Sequence, residues 1–311
     1  METRRLGTSE LEITTVGFGA WAIGGGWWGP VEDEESIGAI RRAYELGINW
    51  FDTAPAYGWG HSERLVAEAL GEHRDEVIIA TKCGLKPLPG GEVVRDSTRE
   101  RVLAECEESL RNLERDYIDL YQVHWPDTDT PFEETMGALV ELYESGKIRA
   151  VGVSNFSVEQ MTECLKHGPL HSLQPPYNML QRDADKAILP FCEQQSIGVV
   201  CYGPLARGLL TGKFKEEPAF PDDDVRRNDP MFKGEAFQRN QRMVAALTEV
   251  AARYDKTVGQ LAIRWVIQQP GVTSAIVGAK RASQVEQNVG GMGWEISEED
   301  LGEIEGILGA A

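Results

Sequence analysis

The sequence lacks any long hydrophobic run and contains few cysteines. No segment reaches the roughly 18 continuous apolar residues of a membrane-spanning helix. No apolar stretch follows Met1–Arg5, so we expect no secretory signal. The five cysteines, at positions 83, 106, 164, 192 and 201, form no CxxC pair and no spacing typical of zinc ligands. We therefore expect free thiols, no metal site and a cytoplasmic protein.

Basic residues are also in deficit. Lysine and arginine total 31 against 50 aspartates and glutamates, which gives a formal net charge of −19. This charge argues against nucleic acid and anionic membranes as partners and favours a small molecule. A solvated acidic surface explains the excess, and adaptation to a salt-rich host is the alternative. An anionic ligand would need a local cluster of cations. The sequence leaves both a monomer and a homo-oligomer open.

Short apolar runs alternate regularly with segments of helical periodicity. The runs, which we interpret as strands, lie at residues 15–19, 48–51, 77–80, 118–123, 148–153, 173–174, 198–202 and 274–276. Repetition at about 30 residues favours a parallel α/β sheet. Eight units predict a (β/α)8 TIM barrel that forms a single domain over residues 1–311, preceded by a β-hairpin. A doubly wound open sheet is the alternative.

The segment Gly17–Ala22 matches the GxGxxA fingerprint of dinucleotide-binding folds. That fingerprint requires a helix to begin within the motif. Three glycines, Gly24 to Gly26, and then Gly29-Pro30 follow instead, and these residues oppose a helix. We interpret the segment as the end of a strand that leads into a loop.

Four polar residues fall at or just after the ends of three successive predicted strands, where barrels place their chemistry. They are Asp52, Tyr57, Lys82 and His124. The ammonium of Lys82 would lower the pKa of the Tyr57 phenol, and Asp52 would keep that ammonium charged. A neutral His124 would orient a substrate carbonyl. The set predicts protonation of a carbonyl oxygen during hydride transfer, with Tyr57 as the general acid.

These residues lie in segments that resemble the aldo-keto reductase superfamily. Within it, the chain is similar to bacterial general-stress and inositol-operon oxidoreductases related to potassium-channel β subunits. The segments are Phe51–Gly58, Ala80–Lys82, Gln122–His124 and Gly146–Phe156. The resemblance implies an NADP-dependent oxidoreductase that reduces aldehydes and ketones reversibly. It also implies the same four catalytic residues.

The resemblance further implies a site for NADP(H). Ser154, Asn155 and Gln174 match residues that bind the nicotinamide carboxamide, and Tyr202 matches the ring that stacks on the nicotinamide. The basic pair Lys280-Arg281 would hold a 2′-phosphate. Relatives usually carry Glu at Gln287, whose amide can still bind adenine. The predicted cofactor-binding residues are Trp21, Ser154, Asn155, Gln174, Tyr202, Gly203, Pro204, Leu205, Arg207, Gly208, Leu210, Lys213, Gly278, Lys280, Arg281, Gln284, Gln287 and Asn288.

Several tryptophans fall in loops at the predicted barrel mouth and suggest an aromatic substrate pocket. The predicted substrate-binding residues are Trp27, Trp28, Trp59 and Trp125. Two other functions remain open. One is a Schiff-base aldolase that uses Lys82. The other is an NADP(H)-binding, redox-sensing regulatory module with slow turnover, to which Cys83 could contribute.

Overall fold

The computed structural model describes residues 1–26, 28–29 and 31–309. The strands in this part of the chain are β1 (Thr3–Arg5), β2 (Glu12–Thr14), β3 (Val16–Gly19), β4 (Trp50–Asp52), β5 (Ile78–Cys83), β6 (Leu85–Pro87), β7 (Val93–Arg95), β8 (Ile118–Val123), β9 (Ile148–Ser154), β10 (Ser172–Gln174), β11 (Gly198–Tyr202) and β12 (Val272–Gly278). The α-helices are α1 (Asp33–Glu45), α2 (His61–Leu70), α3 (Arg99–Leu113), α4 (Phe132–Glu144), α5 (Val158–Cys164), α6 (Ile188–Gln195), α7 (Gly234–Ala252), α8 (Val258–Gln268), α9 (Ala282–Val289) and α10 (Glu298–Gly309).

Eight parallel strands form a closed barrel. Their order around the ring is β3-β4-β5-β8-β9-β10-β11-β12, and β12 closes the ring by pairing with β3. The antiparallel pair β1–β2 precedes it. The predicted (β/α)8 barrel and its N-terminal hairpin are therefore confirmed, and the open doubly wound sheet is wrong. Successive strands lie side by side because each returning helix packs on the outside of the ring.

The barrel interior is filled by a small apolar cluster centred on Trp50. The indole nitrogen of Trp50 donates to the carbonyl oxygen of Thr14 over 3.0 Å and lies 3.2 Å from the hydroxyl of Ser274. A Cβ on Gly17 would lie 2.1 Å from the Trp50 ring, so only glycine leaves room for it. Residues Leu6, Leu11 and Ile13, from the N-terminal hairpin and its turn, belong to the same cluster.

The chain after β3 makes a single 3₁₀ turn over Ala20–Ile23 and then enters a loop. The interpretation of Gly17–Ala22 as a strand end is confirmed, and Gly17 is explained by its contact with Trp50 rather than by a phosphate.

Among the strands and α-helices described above, one hairpin and one helix were not predicted. The hairpin β6–β7 lies between β5 and α3, and α10 follows the last barrel helix. The hairpin strands have three residues each, too few for a clear alternation of apolar and polar side chains. Of the helices that the structure describes, none is both long and apolar enough to cross a membrane.

All five cysteines are buried in the apolar layer between the barrel and its helices. Burial raises the pKa of the Cys83 thiol, with a further contribution from the charge of Glu105. A thiol of this kind is a poor nucleophile, so Cys83 offers little support for a redox sensor.

Candidate active site

Asp52, Tyr57 and Lys82 meet at the carboxyl end of the barrel. Asp52 ends β4, and Lys82 lies on the neighbouring strand β5. The Lys82 ammonium donates to Asp52 Oδ1 over 2.6 Å, to the Thr53 carbonyl over 3.0 Å and to the Tyr57 hydroxyl over 3.3 Å. All three side chains are buried. The three N–H bonds of the ammonium therefore each have an oxygen partner.

His124 completes this group from the end of β8. Its ring is edge-on to Tyr57, with ring centroids 5.7 Å apart and an angle of 81° between the planes. The backbone of His124 is held on both sides, because its N–H donates to the Cys83 carbonyl and its carbonyl accepts from Asn155 Nδ2. The structure thus brings all four predicted catalytic residues together.

The buried setting shifts the pKa values of this group. Burial raises the pKa of the Tyr57 phenol well above its usual value, and the negative charge of Asp52 adds to the rise. Burial lowers the pKa of Lys82, and Asp52 opposes that fall. The expected lowering of the Tyr57 pKa is therefore outweighed by desolvation. Burial, followed by the charge of Lys82, lowers the pKa of His124, which keeps the imidazole neutral.

The second oxygen of Asp52 accepts hydrogen bonds from two glutamine amides. Gln174 Nε2 lies 2.8 Å from Asp52 Oδ2, and Gln122 Nε2 lies 3.3 Å from it. The resemblance implies a nicotinamide contact for Gln174, which stays a prediction, and in the structure its amide nitrogen donates to Asp52. Gln122 was missed. Its position two residues before His124 could have identified it, because alternate residues of a strand face the same side.

Ser154, Asn155 and Tyr202 form a continuous hydrogen-bonded chain beside His124. The Tyr202 hydroxyl donates to Asn155 Oδ1 over 2.9 Å, and Asn155 Nδ2 donates to the Ser154 hydroxyl over 3.0 Å. Ser154 in turn donates to the Gln174 carbonyl. Asn155 has φ 65°, a left-handed conformation that asparagine tolerates better than most residues. Amide and hydroxyl groups therefore lie together next to the four-residue group.

Several of the predicted cofactor-binding residues lie in the loop that follows β11, which contains a 3₁₀ turn at Ala206–Thr211. Arg207 is exposed in this loop, and its guanidinium donates to Asp229 Oδ2 over 2.7 Å. The Gly203 carbonyl accepts from Asn178. The other predicted loop residues range from half-buried to buried: Leu205 and Gly208 are half-buried, and Pro204 and Leu210 are buried.

A cluster of cations lies near the predicted phosphate site. The Lys280 ammonium donates to the Trp28 carbonyl over 2.6 Å, and the Arg226 guanidinium lies 5.1 Å from the centre of the Trp28 ring. Burial and the charge of Arg226 lower the pKa values of Lys280 and Lys213, and Asp224 opposes both shifts. The cluster is preorganised, because Arg226 also forms two hydrogen bonds with Asp224.

Arg226 was missed by sequence reasoning, because it lies in a long loop rich in aspartate and proline that looked like a solvated surface. The two adjacent arginines, Arg226-Arg227, within that acidic segment were the sequence feature that could have identified it.

The start of α9 is held by Gln284. Its side-chain oxygen accepts from the backbone N–H of Lys280 over 2.7 Å and of Arg281 over 3.2 Å. These two backbone amides therefore already have a partner within the protein, and the side chains of Lys280 and Arg281 are the groups that could contact a 2′-phosphate. Arg281 is exposed and pairs with Glu35. The remaining predicted residues are Gln287, which is exposed, and Asn288, whose amide lies 3.4 Å from the Gly278 carbonyl.

Of the tryptophans predicted to bind substrate, Trp28, Trp59 and Trp125 lie in the part of the chain that the structure describes. Trp28 is edge-on to Trp21, with ring centroids 5.0 Å apart, and Trp21 in turn lies 6.4 Å from Tyr57. Trp59 and Trp125 are 41% and 37% exposed, which is unusual for tryptophan. Trp27 lies outside the described residues.

Comparison with known proteins agrees with this geometry. The model of the family described as "Aldo/keto reductase family" matches residues 15–308. The chain is 45% identical to aldo-keto reductase YhdN of Bacillus subtilis, over 99% of this chain and 94% of that protein. It is 34% identical to the NADH-specific methylglyoxal reductase of Escherichia coli, over 95% and 94%. The structure of glycerol dehydrogenase AKR11B4 from Gluconobacter oxydans superposes with a TM-score of 0.93 at 40% identity, covering 99% of this chain and 95% of that one.

Proposed function

This chain belongs to the aldo/keto reductase family, and from that premise we propose that it reduces aldehydes or ketones with NADPH, reversibly, using Tyr57 as the general acid. The observation that carries the proposal is the 3.3 Å contact between the Tyr57 hydroxyl and the Lys82 ammonium inside a buried group. We further propose that it acts in the cytoplasm, a reducing compartment that suits five buried free thiols.

In this proposal Tyr57 transfers the proton, Lys82 and Asp52 support that transfer, and His124 orients the substrate. The raised pKa keeps Tyr57 protonated in the ground state, so a proton is available when negative charge develops on the substrate oxygen. The Lys82 ammonium stabilises the phenolate that remains, and Asp52 holds that ammonium in place. Neutral His124, perpendicular to Tyr57, donates a hydrogen bond to the same oxygen.

The chemistry of the side chains fits a phosphorylated nicotinamide cofactor, which supplies the hydride when it is bound. Ser154, Asn155 and Tyr202 offer amide and hydroxyl groups beside His124. Lys213, Arg226 and Lys280 offer positive charge in a protein that is acidic overall, which suits phosphates. These cations favour NADPH over NADH, although one relative is named as NADH-specific.

The same contacts weigh against an aldolase. A Schiff-base lysine must present a free amine to the substrate, whereas the Lys82 nitrogen is surrounded by Asp52, Thr53 and Tyr57 oxygens.

The test is oxidation of NADPH by the purified protein with methylglyoxal or 4-nitrobenzaldehyde. Wild type should turn over, and Tyr57→Phe should lose at least about 100-fold in kcat while still binding NADPH, as measured by quenching of cofactor fluorescence. Tyr44→Phe, which removes a hydroxyl that contacts Glu76 on the surface, is the matched control. Equal rates in wild type and Tyr57→Phe would overturn the proposal, and the same assay with NADH measures the cofactor preference.

A further inference from the structure

The β6–β7 hairpin brings Arg95 next to Trp125, the residue that follows His124. Arg95 ends β7 and lies opposite Leu85, three residues beyond Lys82. Its guanidinium lies 5.4 Å from the centre of the Trp125 ring and donates to the Pro126 carbonyl over 3.0 Å. Arg95 therefore links the hairpin that follows β5, the strand of Lys82, to the segment that follows β8 and begins with His124.

The hairpin is held at both ends by buried carboxylates. Glu105 accepts from the Gly84 N–H over 2.7 Å before β6, and Asp127 accepts from the Ser97 N–H over 2.9 Å after β7. Gly84 has φ 88°, a conformation that allows the sharp turn out of β5. The backbone is thus held before and after the hairpin. The Arg95 guanidinium is positioned by the Pro126 carbonyl and the Trp125 indole.

The positive charge of Arg95 has no carboxylate within ion-pair distance among the residues that the structure describes. The neighbouring acids have other partners. Asp96 pairs with Lys86 and accepts from Thr98, and Asp127 accepts from Ser97, Asp129 and Thr130. A guanidinium has five N–H donors, and one donor of Arg95 is used by a residue that the structure describes, the Pro126 carbonyl. The remaining donors can form the bidentate pair that arginine makes with a carboxylate.

We propose that Arg95 and Trp125 select carbonyl substrates that carry a carboxylate, with the indole covering the body of the substrate and the guanidinium binding its anionic end. This inference rests on the proposed reductase activity. It names a specificity residue rather than a catalytic one, because Arg95 contacts neither Tyr57 nor Lys82. The protein has a net charge of −19, so an anionic substrate needs such a local cation to approach.

The experiment compares 4-carboxybenzaldehyde with its neutral methyl ester in wild type, Arg95→Gln and Arg95→Glu. The ratio of kcat/KM for acid over ester should fall three- to tenfold in Arg95→Gln and further in Arg95→Glu, mainly through KM, because an exposed charge pair contributes modestly. Arg99→Gln removes the same charge from an exposed site paired with Glu141 and should leave the ratio unchanged. An unchanged ratio in Arg95→Gln, or an equal loss on both substrates, would overturn the inference.

A binding measurement separates this inference from the proposed function. Benzoate should quench tryptophan fluorescence at lower concentration than benzamide does, and Arg95→Gln should remove that difference. If benzoate binding depends on Arg95 while no aldehyde is reduced, the reductase proposal fails and the anion site stands. If aldehydes are reduced and Arg95→Gln leaves benzoate binding intact, the anion site fails alone.

Discussion

The Lys82 ammonium lies 2.6 Å from the Asp52 carboxylate, with the two side chains 0% and 4% exposed. Breaking such a pair leaves a buried charge without compensation, which costs about 3–5 kcal/mol. Asp52→Asn should therefore lower the free energy of unfolding in urea by that amount. The double variant Asp52→Asn/Lys82→Met removes both charges and should regain much of the loss. A double variant as unstable as the single one would contradict the coupling.

The acid side of the pH–rate profile depends on His124. Its pKa is lowered from 6.5 by burial and by Lys82, so the neutral imidazole persists to well below that pH. We expect kcat for aldehyde reduction to show no acid limb at pH 6.5 and above. A limb near pH 6.5 that disappears in His124→Gln would mean that the imidazole titrates normally.

Stability should also depend on pH through Glu105, which anchors the hairpin. Burial raises its pKa to about 7, above its ordinary value of 4.5. The folded protein thus binds the proton more tightly than the unfolded chain. The stabilisation is complete below pH 4.5 and is lost as the pH rises through 7.

Glu105→Gln keeps an acceptor for the Gly84 N–H and removes the titration. Urea unfolding from pH 5 to pH 8 should show wild type losing up to about 3 kcal/mol relative to this variant. Parallel stability curves for the two proteins would rule out Glu105 as the titrating group.

Arg226 should contribute to the recognition of NADPH. Its guanidinium lies over Trp28 and is coupled to Lys280 and Lys213. Arg226→Gln should raise KM for NADPH about tenfold, as expected for loss of one charge-assisted contact, and change KM for NADH less. Arg227→Gln, in the same loop and paired with the exposed Asp222, is the matched control. If both variants raised KM for NADPH equally, the cause would be the general loss of positive surface charge and not a contact between Arg226 and the cofactor.

The fit between Gly17 and Trp50 predicts a packing defect. Gly17→Ala places a Cβ 2.1 Å from the buried ring and should destabilise the protein by about 3 kcal/mol or more. Gly38→Ala is the control, because a Cβ on this exposed helical glycine meets no atom within 4 Å. It should stabilise the protein by up to about 1 kcal/mol. Thermal unfolding measures both, and a tolerated Gly17→Ala would contradict the packing argument.

The barrel and the grouping of Asp52, Lys82 and His124 could be predicted because both follow from local periodicity. A strand end is visible in the sequence, and a parallel barrel brings all carboxyl ends of its strands to one face. Gln122 was not predicted, although it lies two residues before His124 in the same strand, because no sequence feature pairs its amide with Asp52, 70 positions away. Arg226 was missed for a related reason: its partners depend on how a loop without periodicity folds over Trp28 and Lys280.

The buried cysteines give the chain built-in reporters of local opening. Cys83 lies in β5, Cys106 in α3, Cys164 in α5, Cys192 in α6 and Cys201 in β11, so they sample separate sectors of the ring. A thiol reagent can reach each of them only after the surrounding structure opens, and its rate then measures the free energy of that opening. Mass spectrometry of partly labelled protein would rank the five sectors by stability without any substitution.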